Sequence, residues 1–278
     1  MLRKIAIILF SILRLISLIP FPLINSFSIL LDENTYYNFF EKTNFYTKVK
    51  ETFVRIIAQT VEEKNLSISK EKLIKNLNEE IQESILKEEI NKFVLGCLNY
   101  LKGKGEVPKF SIYKMKNGLK EAFWKTVKEE GNISEEYKGL FFAAVEREIP
   151  DEIDFGVKGA LDSIKKYVST FNLVWIADVG VILVFCVVLA ALNGFDFKKV
   201  AKNLGIVFLI AGVIGVLIFS VFNSAKSAFF ERAMAGIPES NFVFPVVVGL
   251  FDAYLLAVFY MSVFLSVLGV AGIIISFA

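Results

Sequence analysis

This chain predicts an all-α fold: four transmembrane helices, with an α-helical extracytoplasmic domain inserted between the first and second spans. Three observations carry that expectation. Residues 243–278 hold one ionised side chain, Asp252, among Val, Leu, Ile, Phe, Ala and Gly, and a bilayer core of roughly 30 Å takes about 20 helical residues. Two more blocks, 172–192 and 204–222, and the N-terminal stretch have the same character. Acidic and basic residues crowd instead into the middle of the chain, where apolar residues recur at helical spacing. With 55% hydrophobic residues and a mean hydropathy of +0.55, the 278-residue chain is too apolar for a water-soluble domain. With 22% charged residues it is too charged to lie wholly in lipid.

Composition excludes several functions. Acidic and basic residues nearly balance, with a formal net charge of +2, which gives no electrostatic case for nucleic acid, whose phosphates call for a concentrated basic surface. There is no histidine, and there are two cysteines, Cys97 in the polar region and Cys186 within a span. Neither a disulfide between them nor an imidazole or thiolate metal site is expected. No cofactor and no catalytic set is expected either: a hydrolytic serine or cysteine would lack its histidine base. The tyrosine-aspartate and glycine-x-glycine-aspartate pair of intramembrane aspartyl proteases is matched by neither Asp178 nor Asp252 in its context.

In chain order, residues 1–25 read as the first span, an uncleaved signal anchor with a basic start at Arg3 and Lys4 and no small-residue cleavage site after it. Residues 26–170 form the outer domain. Tyr36, Tyr37, Phe39, Phe40, Phe45 and Tyr46 open its core, with a membrane-interface belt as the rival reading. Val49, Phe53, Ile56, Ile57 and Val61 repeat at helical spacing, and Ser69 is placed to cap a helix bearing Leu73, Ile74 and Leu77. Over 85–101, Leu86, Ile90, Phe93, Val94, Cys97, Leu98 and Leu101 form one stripe, which predicts the central helix of the domain. The run Lys102 to Glu106 is a glycine turn, and Phe110 to Tyr113 an extended piece. A helix over 116–129 turns Leu119, Phe123, Trp124 and Val127 inward. Ser134 caps another that carries Tyr137, Leu140, Phe141 and Val145. After Pro150, Asp151 to Asp154 starts a helix that runs through Val157, Leu161, Ile164 and Val168 into the second span.

Residues 171–278 form a three-helix membrane region with spans at 172–192, 204–222 and 255–278 and an outer hairpin over 223–254. Lys198, Lys199 and Lys202, with the basic N-terminus, place the turn between the second and third spans and both termini in the cytoplasm by the positive-inside rule. The protein is then a multi-pass protein of the cytoplasmic (inner) membrane with residues 26–170 outside.

Ionisable residues in or beside a span are functional candidates, which singles out Arg14, Asp178 and Asp252. By rise per residue, Asp178 sits above Arg14 within reach of a snorkelling side chain, so an Arg14–Asp178 pair is expected. Ala211 and Gly215 in the third span, and Gly249, Ala253 and Ala257 in the fourth, permit close helix packing. The partners implied are the lipid bilayer and either an envelope protein or a second copy of the chain. The leading functional expectation is a non-enzymatic scaffold whose outer domain binds another envelope component. The alternative is an oligomeric transporter or channel component using the intramembrane charges, and an intramembrane enzyme ranks third.

The run Asn99-Tyr100-Leu101-Lys102-Gly103, followed by Pro108 and Phe110-Ser111-Ile112 and joined with Asn44-Phe45-Tyr46, resembles the outer domain of uncharacterised bacterial tetraspan membrane proteins. That resemblance implies a helical extracytoplasmic domain and no activity. The tetraspan layout is similar to that of claudins, whose outer tryptophan and paired-cysteine pattern this chain lacks.

Overall fold

The computed structural model describes residues 2–63, 68–131, 133–233 and 243–277, without the side chains of 2–5, 233, 243 and 244. Gly236 and Pro238 of the expected outer turn, and the side chains of Arg3 and Lys4, lie outside that set. The chain divides into two compact units, Met1–Thr35 with Lys166–Ala278, and Tyr36–Lys165.

In the first unit the helices are α1 (Leu2–Leu18), α2 (Phe21–Ser26), the membrane part of α9 (Lys158–Leu192), α10 (Phe197–Ala233) and α11 (Val243–Ile275). Four stretches are long and apolar enough to cross a membrane: Ala6–Leu31, Lys158–Leu192, Phe197–Arg232 and Pro245–Ile275. This is a multi-pass membrane protein. The first stretch is interrupted. Pro20 and Pro22 have no N–H to return to the carbonyls of Ile16 and Leu18, so α1 closes with Ile19 N–H on Leu15 and α2 opens with Ile24 N–H on Pro20.

α10 and α11 form an antiparallel hairpin. Phe230 meets Phe251, Phe219 meets Phe259, and Lys226 meets Asp252. Lower in the pair the backbones come together: a Cβ on Gly205 would lie 2.7 Å from the Gly269 carbonyl, and one on Gly212 would lie 2.6 Å from the Ser262 carbonyl. Only small residues allow that approach. At the opposite end of α10, the turn after α9 is closed by Phe195 N–H on Ala190 and by the Asn193 amide on Leu189, with Gly194 at φ +66°.

The second unit holds α3 (Glu33–Lys42), α4 (Phe45–Glu63), α5 (Lys70–Glu80), α6 (Glu83–Leu101), α7 (Lys116–Gly131) and α8 (Lys138–Glu148). Its core joins Val54, Ala58 and Val61 of α4, Leu73 and Leu77 of α5, Ile81, and Leu119 and Ala122 of α7. Ser69 accepts from Lys72 N–H and caps α5. α5, whose Leu73 and Leu77 are fully buried, is the centre; α6, the expected central helix, buries Leu86, Ile90 and Leu98 along one side. Of the aromatic cluster, Phe40 and Tyr46 are core residues, Phe40 stacking on Phe45 at 4.2 Å.

Three further expectations for this unit need correction. Asp151 to Asp154 does not start a helix: Glu152–Ile153 is a short strand, β2, paired antiparallel with β1 (Phe110–Ser111) in the register Phe110 to Ile153. α9 begins beyond it, after Gly156 at φ +66°. Ile56 points outward on α4, where Val54 and Ala58 are inward. α8 has rolled about its axis: Phe141 meets Trp124, whereas Tyr137 and Leu140 face solvent.

Candidate functional site

α9 lies along α1 and α2 as an antiparallel zipper. Phe185 meets Phe10 edge-on at 6.0 Å, Cys186 neighbours Arg14, and Ile182 packs with Leu18. Trp175 Nε1 donates to Asn25 Oδ1 at 3.2 Å, and Phe171 stacks on Phe27 at 4.3 Å. Residues 171, 175, 178, 182, 185, 186 and 189 share this face at steps of three and four. Most of the rest of α9 is uncovered, with Leu173 70%, Ile176 64% and Val187 65% exposed, a surface suited to lipid.

Arg14 is completely buried, and among the described residues Nε, Nη1 and Nη2 have no hydrogen-bond partner. The guanidinium carbon lies 4.9 Å from the centre of the Phe208 ring, a cation–π contact of about 0.5–2 kcal/mol. Asp178, on the same face of α9, has a buried Oδ2 that also lacks a partner. The expected Arg14–Asp178 ion pair does not form. Arg14 is level with Cys186, and Asp178 lies eight residues further along α9, about 12 Å at the helical rise, with Leu18 and Ile182 packed between. The zipper sets Asp178 between the Leu18 and Asn25 layers, opposite the interruption of the first span.

Asp252 is not a free intramembrane charge. Lys226 Nζ donates to its Oδ1 at 2.6 Å across the α10–α11 hairpin, both side chains being partly exposed. Lys226 is the partner that sequence reading missed; the signal was a lone lysine in the apolar extension of α10. Nearby, the Tyr254 hydroxyl donates to the Leu23 carbonyl at 3.0 Å and ties α11 to the interrupted span.

Of the small residues, Gly215 makes the close approach between α10 and α11, and Ala211 lies on another contact. Gly215 faces Ser262, but Ala211 packs with Leu18 and Val207. Gly249, Ala253 and Ala257 are half-buried, and the close seam on α11 is Ser262, Ser266, Gly269 and Gly272. Ser262 and Ser266 donate to the carbonyls of Val258 and Ser262 on their own helix, which spares the seam an unsatisfied hydroxyl.

In the second unit a cavity of about 480 Å³ is lined by Tyr113, Lys114, Lys116, Asn117, Lys120 and Glu146. Every lysine there is engaged. Lys116 lies 2.5 Å from Asp151 and 3.2 Å from Glu146, Lys120 lies 2.6 Å from Glu146, and Lys114 lies 2.6 Å from Glu88. Asp151 foremost, then Glu146, raises the Lys116 pKa. Lys120 and Lys116 lower that of Glu146, and Lys114 and Lys92 hold Glu88 down at about 2. The array balances its own charge and serves the fold.

Among the described residues no group of three or more His, Cys, Asp or Glu is placed to hold a metal ion. The membrane unit holds one enclosed cation, Arg14, and one half-buried carboxyl, Asp178, whose guanidinium nitrogens and Oδ2 have no hydrogen-bond partner among the described residues. No family model, no curated protein and no solved structure matches this chain.

Proposed function

We propose that this is a non-enzymatic membrane protein whose polar helical unit lies outside the cytoplasm and binds another envelope protein. Orientation rests on Lys198, Lys199 and Lys202, which crowd the first turns of α10 beside its short connection to α9 and favour the cytoplasmic side. With four spans, both termini then share that side and residues 36–165 lie opposite. The observation that carries the reading is α8. None of its residues is buried, and it turns Leu140, 71% exposed, outward beside Tyr137, 57% exposed. Tyr137, Leu140, Ala144 and Arg147 follow one another at helical steps, giving an apolar strip with a cationic end of the kind that packs against a partner helix.

The test is site-specific photocrosslinking in intact cells with the probe at Tyr137, and at Lys75 on α5 as control. A discrete adduct from position 137 that is absent from position 75 and lost with Leu140→Asp is expected. Identical patterns from both positions, or none from 137, would remove the proposal.

The second reading, an oligomeric transporter or channel component, is favoured by Arg14 and by Asp178 Oδ2, which have no hydrogen-bond partner among the described residues. It requires ion flux in proteoliposomes that changes with Arg14→Gln or Asp178→Asn; flux indifferent to both would dismiss these residues.

A further inference from the structure

Where the interrupted first span meets α9, a cavity of about 170 Å³ opens between them. Its apolar walls include the stacked Phe27 and Phe171 and Leu31, while Asn25, Asn172 and Trp175 supply polar groups. Trp175 spends its one donor on Asn25 Oδ1. The exposed Asn172 amide has no hydrogen-bond partner among the described residues, and no ionised side chain among them lines the cavity. Depth adds a second constraint. Asn172 lies about 30 Å from Leu192, the end of α9, at the helical rise, which is the thickness of a bilayer's hydrocarbon core. With the α9–α10 turn at one face of the membrane, the cavity sits at the opposite boundary, the level that tryptophan side chains favour.

We propose that this cavity holds the glycerol diester core of one membrane lipid, with an ester carbonyl accepting from the Asn172 amide. The ester is the lipid group at this depth that accepts hydrogen bonds without carrying charge, which suits a lining with a free amide donor and no ion. Size points the same way. At about 170 Å³ the cavity is smaller than the roughly 300–1,000 Å³ of sites that enclose a whole ligand, so it takes the core and leaves the headgroup in water. The acyl chains continue along the uncovered face of α9 past Leu173 and Ile176, 70% and 64% exposed. Because no charge reads the headgroup, zwitterionic and anionic lipids bind alike. The site depends on neither functional reading and on neither orientation of the chain.

Trp175 reports on the site directly. In the full-length protein in detergent, its fluorescence is followed as phosphatidylcholine brominated near the top of one acyl chain is added. The other tryptophan, Trp124, is buried in the second unit and supplies a background measured in Trp175→Phe. Saturable quenching is expected, with the same midpoint for phosphatidylglycerol of the same chains. The ether-linked analogue, which lacks the carbonyls, should bind about three- to tenfold more weakly, the worth of one hydrogen bond. Asn172→Leu should abolish that difference between ester and ether. Quenching that never saturates would mean that Trp175 meets only bulk lipid, and a marked preference for phosphatidylglycerol would assign the site to an anionic headgroup. Equal ester and ether affinities in the wild-type protein, or a difference that survives in Asn172→Leu, would show that Asn172 does not read the ester. Each of these results overturns the proposal, and should Asn172→Leu fail to fold, the ester–ether comparison in the wild-type protein decides.

Discussion

Single residues show how differently two polar groups fare depending on whether their partner is present. Asn76, buried on α5, donates its amide to Thr126 Oγ1 at 3.0 Å, and Thr126 in turn donates to the Ala122 carbonyl at 2.7 Å. Thr126→Val keeps the shape and removes the acceptor, so we expect a loss of about 1–3 kcal/mol, measured by denaturant unfolding of the detergent-solubilised protein. Glu88 makes the pH case. Its folded pKa of about 2 lies below the unfolded value of about 4.3, so its contribution is present above about pH 4 and is lost as pH falls toward 2. Lys92→Met with Lys114→Met should flatten that part of the stability profile by letting the folded pKa rise toward the unfolded one. The surface position of these groups keeps the effect small. Arg14 itself was legible as an anomaly from its place in an apolar run; its neighbours were not, since Cys186 and Phe208 lie far off in the chain.

Whole elements were legible where the signal is local. The Ser69 cap, the α6 stripe and the uninterrupted helix into the second span all follow from neighbours within a few residues. Where the outcome depended on how a helix rolls against another, sequence reading failed. In α8, Leu140 and Phe141 are equally apolar, and only the position of Trp124 on α7 decides which is covered. The α10–α11 seam is similar: alternative small-residue stripes run along the same helix, and the register of the hairpin selects Ser262, Ser266 and Gly269. A paired test follows. In Gly269→Val the Cβ alone would fall 2.7 Å from Leu209 Cα, forcing the backbones apart at a cost of about 1–3 kcal/mol or more. Gly180→Ala, with nothing within 4 Å, should be neutral or stabilising by up to about 1 kcal/mol. Thermal unfolding in one detergent ranks the two.

For the molecule as a whole, the decisive quantity is the side of the membrane on which the polar unit sits. With both native cysteines replaced by serine, Lys104→Cys should react in intact cells with a membrane-impermeant maleimide, and a cysteine at Lys199 only after the membrane is opened. The reverse pattern would invert the orientation and with it the proposed partner compartment.

From its sequence alone this protein could be divided into oil-seeking and water-seeking stretches, and most helices placed within them, because hydropathy, helical period and capping belong to short runs of residues. The tertiary structure alone decided which faces meet: that Arg14 looks to Cys186 and Phe208 instead of Asp178, that Lys226 neutralises Asp252, that α8 leaves Leu140 bare. Those outcomes depend on the rotation and axial register of whole helices, and both are set by packing between residues far apart in the chain.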